Sequence, residues 1–243
     1  MRTTVIIGAS SGVGAAIAAQ RCLAGERVLA VARRAERLDA LAAAHAGLVP
    51  CVYDIADLDG IKDLFARIVR EHGPIHNVVY CAGRQYIAPL RGVDLAKVED
   101  LFRVNVLGAL AVLQAFASKR INAGDGAGAA FVAVSSVAAD RPERGIVAYG
   151  ASKAALNALI KGAALECAPL RVNAIAPGFM RTEMTQAQAH VYSDGFVDQL
   201  AARAPLGLVA PEQVAALADF LLSAQASHMT GQVLTLDGGA TLA

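Results

Sequence analysis

Three side chains in this sequence are of the types that pass a proton to a carbonyl oxygen. Tyr149 and Lys153 stand four residues apart in Tyr149-Gly150-Ala151-Ser152-Lys153, at the start of an alanine-rich helix, and Ser135-Ser136 closes the strand before it. Positions i and i+4 share a helix face. A phenol ionises near pH 10, so at neutral pH it needs about 4 kcal/mol of help to act as a base. A Lys ammonium on the same face is expected to supply it, aided by the helix N-terminus. Ser136, at a strand's carboxyl end, can donate to an oxygen whose negative charge grows as hydride arrives. Without such a role, Tyr149 and Lys153 would be an exposed helix pair worth a few tenths of a kcal/mol.

A second stretch, Gly8-Ala9-Ser10-Ser11-Gly12-Val13-Gly14, reads in two ways. As G-x-S-x-G it is a hydrolase elbow with Ser10 as nucleophile and His190 or His228 as a distant partner. As G-x-x-x-G-x-G it is a turn that brings backbone N–H groups to a pyrophosphate. An elbow needs neighbouring strands and an oxyanion loop already in place, and only one strand precedes Ser10. The cradle accounts for every glycine, since Gly8 permits the tight turn, Gly12 the close approach of phosphate and Gly14 the packing of helix on sheet. Ser10, Ser11 and Val13 then lie against the ligand.

These groups need a scaffold, and the chain alternates strand and helix throughout. The expected strands are Thr3–Ile7, 27–32, 48–52, 77–80, 129–134, 170–175 and 232–236. Between them fall helices at 15–20, 35–44, 58–71, 95–118, 149–167 and 211–222. Parallel neighbours need crossovers of that length, so the expectation is an α/β, doubly wound, seven-stranded parallel sheet with helices on both faces. Ligands in such sheets sit at the carboxyl ends of the strands. The 243 residues suit one domain, and no linker, repeat or low-complexity tract divides them.

The end of the second strand should meet the ribose of a dinucleotide, where an acid would bind the free 2′-hydroxyl. Here the strand ends in Ala32-Arg33-Arg34, with no acid. Arginine offers a forked donor suited to phosphate, so the expected cofactor is NADP(H) in preference to NAD(H), with Arg33 on the 2′-phosphate. Arg34 and Arg37 read as a solvated helix start.

Composition narrows the alternatives. The formal net charge of +1 gives no reason to expect nucleic acid or an anionic membrane. The longest uncharged stretches are interrupted well short of about 18 apolar residues, so no membrane span is expected. The apolar run after Met1-Arg2 ends at Gly8, too soon for a secretion leader. Cys22, Cys51, Cys81 and Cys167 are widely spaced and read as reduced thiols of a cytoplasmic protein. The histidines form no metal-binding set.

Taken with Asp54-Ile55 after the third strand, Ala82-Gly83 after the fourth, Asn105, Pro177-Gly178 with Thr182, and Asp237-Gly238-Gly239, these motifs resemble the single-domain, Rossmann-type short-chain dehydrogenases/reductases over nearly the whole chain. The resemblance implies that Asn105, Ser136, Tyr149 and Lys153 form the catalytic set, Asn105 holding a water in the proton relay behind Lys153. It further implies that Asp54 meets the adenine, that Ala82 and Gly83 line the cofactor, and that Thr182 binds the nicotinamide carboxamide. Tyr149, Lys153, Pro177 and Gly178 would also touch the cofactor. The chain departs from the pattern at Ile7, where the family usually has Thr, and at Tyr80-Cys81, where it has an Asn pair. We read this double change as an apolar substitute for a polar tie between the first and fourth strands, with catalysis untouched.

The stretch from Arg171 to Met184 is similar to that of 3-oxoacyl-carrier-protein reductases. Those enzymes often carry basic docking residues before the fifth and sixth strands, where this chain has Gly126-Ala127-Gly128 and Cys167-Ala168-Pro169. A small ketone, sugar or other secondary alcohol is therefore as consistent with the residues as a 3-oxoacyl thioester. Residues 183–206 are expected to form a substrate lid with Tyr192 and Phe196, and Arg84, Gln85, Tyr86 and Arg141 are candidate lining residues. A non-catalytic dinucleotide-binding regulator on the same fold is the alternative class. The resemblance also implies a homotetramer, and the apolar stretches Gly108–Leu113 and Ala154–Leu159 are the expected contacts.

Overall fold

In the computed structural model, which describes residues 1–123, 128–188 and 191–242, strand and helix alternate as the pattern of apolar runs requires. The strands are β1 (Thr3–Ile7), β2 (Arg27–Ala32), β3 (Leu48–Val52), β4 (Asn77–Tyr80), β5 (Ala130–Val134), β6 (Arg171–Pro177) and β7 (Val233–Leu236). All neighbours are parallel, in the order β3-β2-β1-β4-β5-β6-β7. The direction of winding reverses at β1, which lies between β2 and β4. Such a reversal leaves a crevice at the strand ends.

The β-branched sequence of β1 is buried along its whole length, and its side chains alternate between two cores. Val5 and Ile7 join one core, against α3 (Ile61–His72) and α5 (Ala109–Phe116). Ile6 joins the other, against α1 (Gly12–Leu23) and α9 (Pro211–Leu222). On α3 the buried positions Ile61, Leu64, Phe65 and Ile68 follow helical spacing, while Lys62, Asp63 and Arg67 are outward. Helix α2 (Ala35–Ala44) buries only Leu38, and α6 (Val147–Glu166) carries Tyr149 and Lys153 behind β5.

Several elements differ from the sequence reading. The helix expected at 58–71 begins only at Ile61, because Asp54 to Gly60 close a turn in which the Asp57 N–H donates to the Asp54 carbonyl. The continuous helix expected at 95–118 is α4 (Leu95–Phe102), then a π-helical turn at Arg103–Gly108, then α5. The expected lid contains two helices, α7 (Glu183–Gln186) and α8 (Asp194–Arg203). Much of the apolar excess assigned to intersubunit contact is buried within the chain itself: Ala109, Val112, Leu113 and Leu156 lie in the core, whereas Leu107 and Leu110 are exposed. Among the described residues no helix is long and apolar enough to cross a membrane.

Candidate active site

The glycine turn connects β1 to α1 at the crevice. Gly8 has φ +89°, and a Cβ there would lie 2.6 Å from the Ala82 nitrogen. A Cβ on Gly14 would collide with the Gly8 carbonyl oxygen. Only glycine allows these approaches, which set the end of β1 against the end of β4 and α1 against the turn. The result is a cleft of about 350 Å³. Its walls are the turn itself, Arg33 and Arg34 after β2, Asp54 and Ile55 after β3, Ala82 and Gly83 after β4, and Thr182 after β6. Thr182 hangs over the turn, 3.7 Å from where a Gly12 Cβ would sit.

Tyr149 and Lys153 line the inner end of this cleft. A smaller adjoining cavity of about 120 Å³ opens beside Tyr149, with Ser136, Pro177 and Gly178 in its wall. Phe179 and Tyr192 cover it, their rings edge to face at 5.1 Å, and Phe196 stacks beyond Tyr192. Gln85 Nε2 donates to the Tyr192 hydroxyl at 2.7 Å, tying the segment after β4 to the expected lid. Of the other candidate lining residues, Arg84 reaches the larger cleft. The Tyr86 hydroxyl accepts from the Asp94 N–H, and Arg141 donates to the Thr241 carbonyl instead of lining either cavity.

The electrostatics correct one expectation. Burial pushes the Tyr149 phenol up to about 12, with the Ser136 hydroxyl pulling it partly back. Burial also brings the Lys153 ammonium down to about 8. Lys153 Nζ donates to the Val134 carbonyl at 2.9 Å and lies 5.8 Å from the centre of the Tyr149 ring. In this arrangement desolvation outweighs the help the i, i+4 spacing led us to expect. The phenol therefore stays protonated across the neutral range.

Asn105 touches neither cavity. It is fully buried in the π-helical turn, where Oδ1 accepts from the Arg84 N–H at 2.8 Å. Its Nδ2 donates to the Arg84 carbonyl and to Ser152 Oγ, each at 3.0 Å. A Cβ on Gly83 would lie 3.5 Å from both Asn105 Oδ1 and Lys153 Nζ, so the two side chains meet behind that glycine.

Two further sequence expectations change. Arg34 is not a bystander: its guanidinium donates to the hydroxyls of Ser10 and Ser11, and both it and Arg37 bond the Glu183 carboxylate. Arg33 lies apart from that cluster, 3.7 Å from Asp54. No periodicity links residues 34 and 183, and only their opposite charges at the ends of β2 and β6 hinted at the pair. Ser10 faces a guanidinium where a hydrolase elbow would need an imidazole; His228 sits beside Ser227, and His190 lies outside the described residues. The departure at Tyr80 is not apolar either, because its buried hydroxyl donates to the Val104 carbonyl at 2.5 Å. Of the two stretches where carrier docking would place cations, Cys167-Ala168-Pro169 and Gly128 are described, and Gly126 and Ala127 lie outside the described residues.

A parallel sheet with a glycine cradle at its point of reversal, a Tyr and Lys lining the same cleft and a Ser in the cavity beside that Tyr define a nicotinamide-dependent oxidoreductase. Residues 8–241 match the family model described as enoyl-(acyl carrier protein) reductase. The chain is 35% identical to gluconate 5-dehydrogenase of Gluconobacter oxydans, covering 98% of this chain and 94% of that one. It superposes on a short-chain type dehydrogenase/reductase from Mycobacterium ulcerans with a TM-score of 0.89 at 34% identity, covering 99% of this chain and 90% of that one. A variant of actinorhodin polyketide ketoreductase bound to NADPH aligns with a TM-score of 0.90 at 26% identity, covering 98% and 97% of the two chains. The chain belongs to the short-chain dehydrogenase/reductase family, whose members interconvert alcohols and carbonyl compounds.

Proposed function

We propose that this protein reduces a small ketone, or oxidises the matching secondary alcohol, with NADP(H) as its cofactor. The carrying observation is the placement of Tyr149 and Ser136 around the small cavity that opens from the larger cleft, with Lys153 behind them. The cleft fits a dinucleotide: Gly8 and Gly14 leave the backbone bare, Ser10, Ser11 and Arg33 supply donors for phosphate, and Asp54, Ile55, Ala82, Gly83 and Thr182 line its length. When bound, the nicotinamide supplies or accepts the hydride. Tyr149 gives its phenolic proton to the carbonyl oxygen, Ser136 donates a hydrogen bond to that oxygen as charge grows on it, and Lys153 with Asn105 connects the phenol to the interior. The adjoining cavity favours a compact substrate, and a 3-oxoacyl thioester is the bulkier candidate.

A panel of ketones, sugars, secondary alcohols and a 3-oxoacyl thioester, followed by nicotinamide absorbance, tests this reading. Tyr149→Phe should abolish turnover and leave cofactor binding nearly intact. Near-normal turnover in that variant on a validated substrate would sink the mechanism, and cofactor binding without turnover on any substrate would favour the regulatory alternative. We also propose a homotetramer assembled through the face that exposes Leu107 and Leu110. Light scattering at micromolar concentration should report four chains per particle, and a monomer would contradict it.

A further inference from the structure

We propose that Tyr80 is a positioning residue for the reaction, its hydroxyl bracing the π-helical turn that carries Asn105 behind Lys153. This rests on the oxidoreductase reading above. Tyr80 ends β4 and is fully buried in the hydrophobic core. A phenylalanine would fill the same space, and a hydroxyl there is costly unless it is bonded. The bond it makes is directed at one carbonyl, that of Val104, the residue before Asn105.

That carbonyl belongs to an irregular segment. In the turn from Arg103 to Gly108 the helical register slips, and carbonyls at such a slip gain from partners outside the helix. The sequence has made room for this partner: a Cβ on Gly108, the last residue of the turn, would stand 2.5 Å from the Tyr80 hydroxyl. Burial raises the phenol far above its ordinary value, so it remains a donor at every working pH. Asn105 is thus held at both ends. Arg84 and Ser152 hold its amide, and Tyr80 holds the backbone from which it projects.

Tyr80→Phe keeps the ring and removes the brace. With a validated carbonyl substrate, kcat should fall about tenfold, the effect of one lost hydrogen bond, while KM for substrate and cofactor stays within about twofold. In an Asn105→Ala background the same change should lower kcat by less than about twofold, because Tyr80 acts through Asn105. A Tyr80→Phe enzyme within twofold of full activity, or a tenfold loss repeated in the Asn105→Ala background, would overturn the inference. Amide hydrogen exchange gives a readout independent of catalysis: residues 103–108 should exchange about tenfold faster in Tyr80→Phe. Unchanged exchange refutes the brace, whereas faster exchange in a protein that reduces no carbonyl substrate leaves the brace standing and overturns the activity reading on which its positioning role rests.

Discussion

Glu183 is bonded to Arg34 across the mouth of the cleft, with Oε2 2.9 Å from Nη1, and its other oxygen is 2.9 Å from Arg37 Nη1. The link joins the first residue of α7 to the segment that opens α2, above a turn whose serine hydroxyls accept from the same Arg34 guanidinium. The two cations hold the Glu183 carboxyl below the usual range, so it is ionised at neutral pH. A side-chain anion therefore engages Arg34, a cation of the cleft wall next to Arg33 in the chain.

Glu183→Gln should tighten NADPH binding about two- to fivefold, the scale of an exposed ion pair, and leave NADH binding nearly unchanged. Titration of cofactor fluorescence measures both. Weaker NADPH binding in the variant would mean that the carboxylate supports the cofactor and does not compete with it.

The unaltered protein should bind NADPH about ten- to a hundredfold more tightly than NADH, because arginines and no acid follow Ala32. Ala32→Asp combined with Arg33→Ala should invert the preference, the new carboxylate accepting from the ribose hydroxyls and repelling the phosphate. Tighter NADH binding by the unaltered protein would reduce Arg33 to a surface partner of Asp54.

Lys153 should make the cofactor-free protein more stable as the solution is made alkaline. Burial lowers its pKa from 10.5 to about 8. Between those values the unfolded chain binds more protons than the folded one, so stability rises with pH across that window. Below it the folded state bears the full cost of a buried cation. Denaturant unfolding of the protein and of Lys153→Met at pH 7 and pH 10 should show the difference between them shifting by about 2 kcal/mol in favour of the lysine. A difference that does not change with pH would contradict the assigned shift.

Arg171 uses its charge to hold the fold together. Buried in β6, it donates from Nη1 to the carbonyls of Leu221 and Ala226 and from Nη2 to that of Ser223, closing the carboxyl end of α9. Arg171→Met would leave those acceptors without a donor and should cost about 2 to 4 kcal/mol in thermal or denaturant unfolding, with turnover per folded molecule unchanged. A cost below about 0.5 kcal/mol, the range of ordinary surface changes, would refute it.

The sheet and the chemistry were legible because both leave local marks: β-branched runs, crossover lengths, glycines at a strand end and a fixed Tyr–Lys spacing. What escaped the sequence was relational. Nothing near residue 34 says that Glu183, far along the chain, will lie opposite it. The π-helical turn is invisible as well, since a slip of one hydrogen bond leaves the apolar spacing of residues 95 to 116 almost intact. The direction of the Tyr149 shift could not be read because it depends on burial, and the spacing of two residues carries no information about how much water reaches them.

The contact of Gly8 with Ala82 joins a half-sheet made of β1, β2 and β3 to one made of β4 to β7, and the cleft runs along that seam. A coenzyme lying there touches both halves at once and finds no equivalent surface on an unfolded chain. Its occupancy then works as a clasp: at a hundredfold excess over its dissociation constant it adds about 2.7 kcal/mol to the free energy of unfolding. The lifetime of the polypeptide thereby becomes tied to the supply of its own redox currency, and a starved enzyme is one that comes apart sooner.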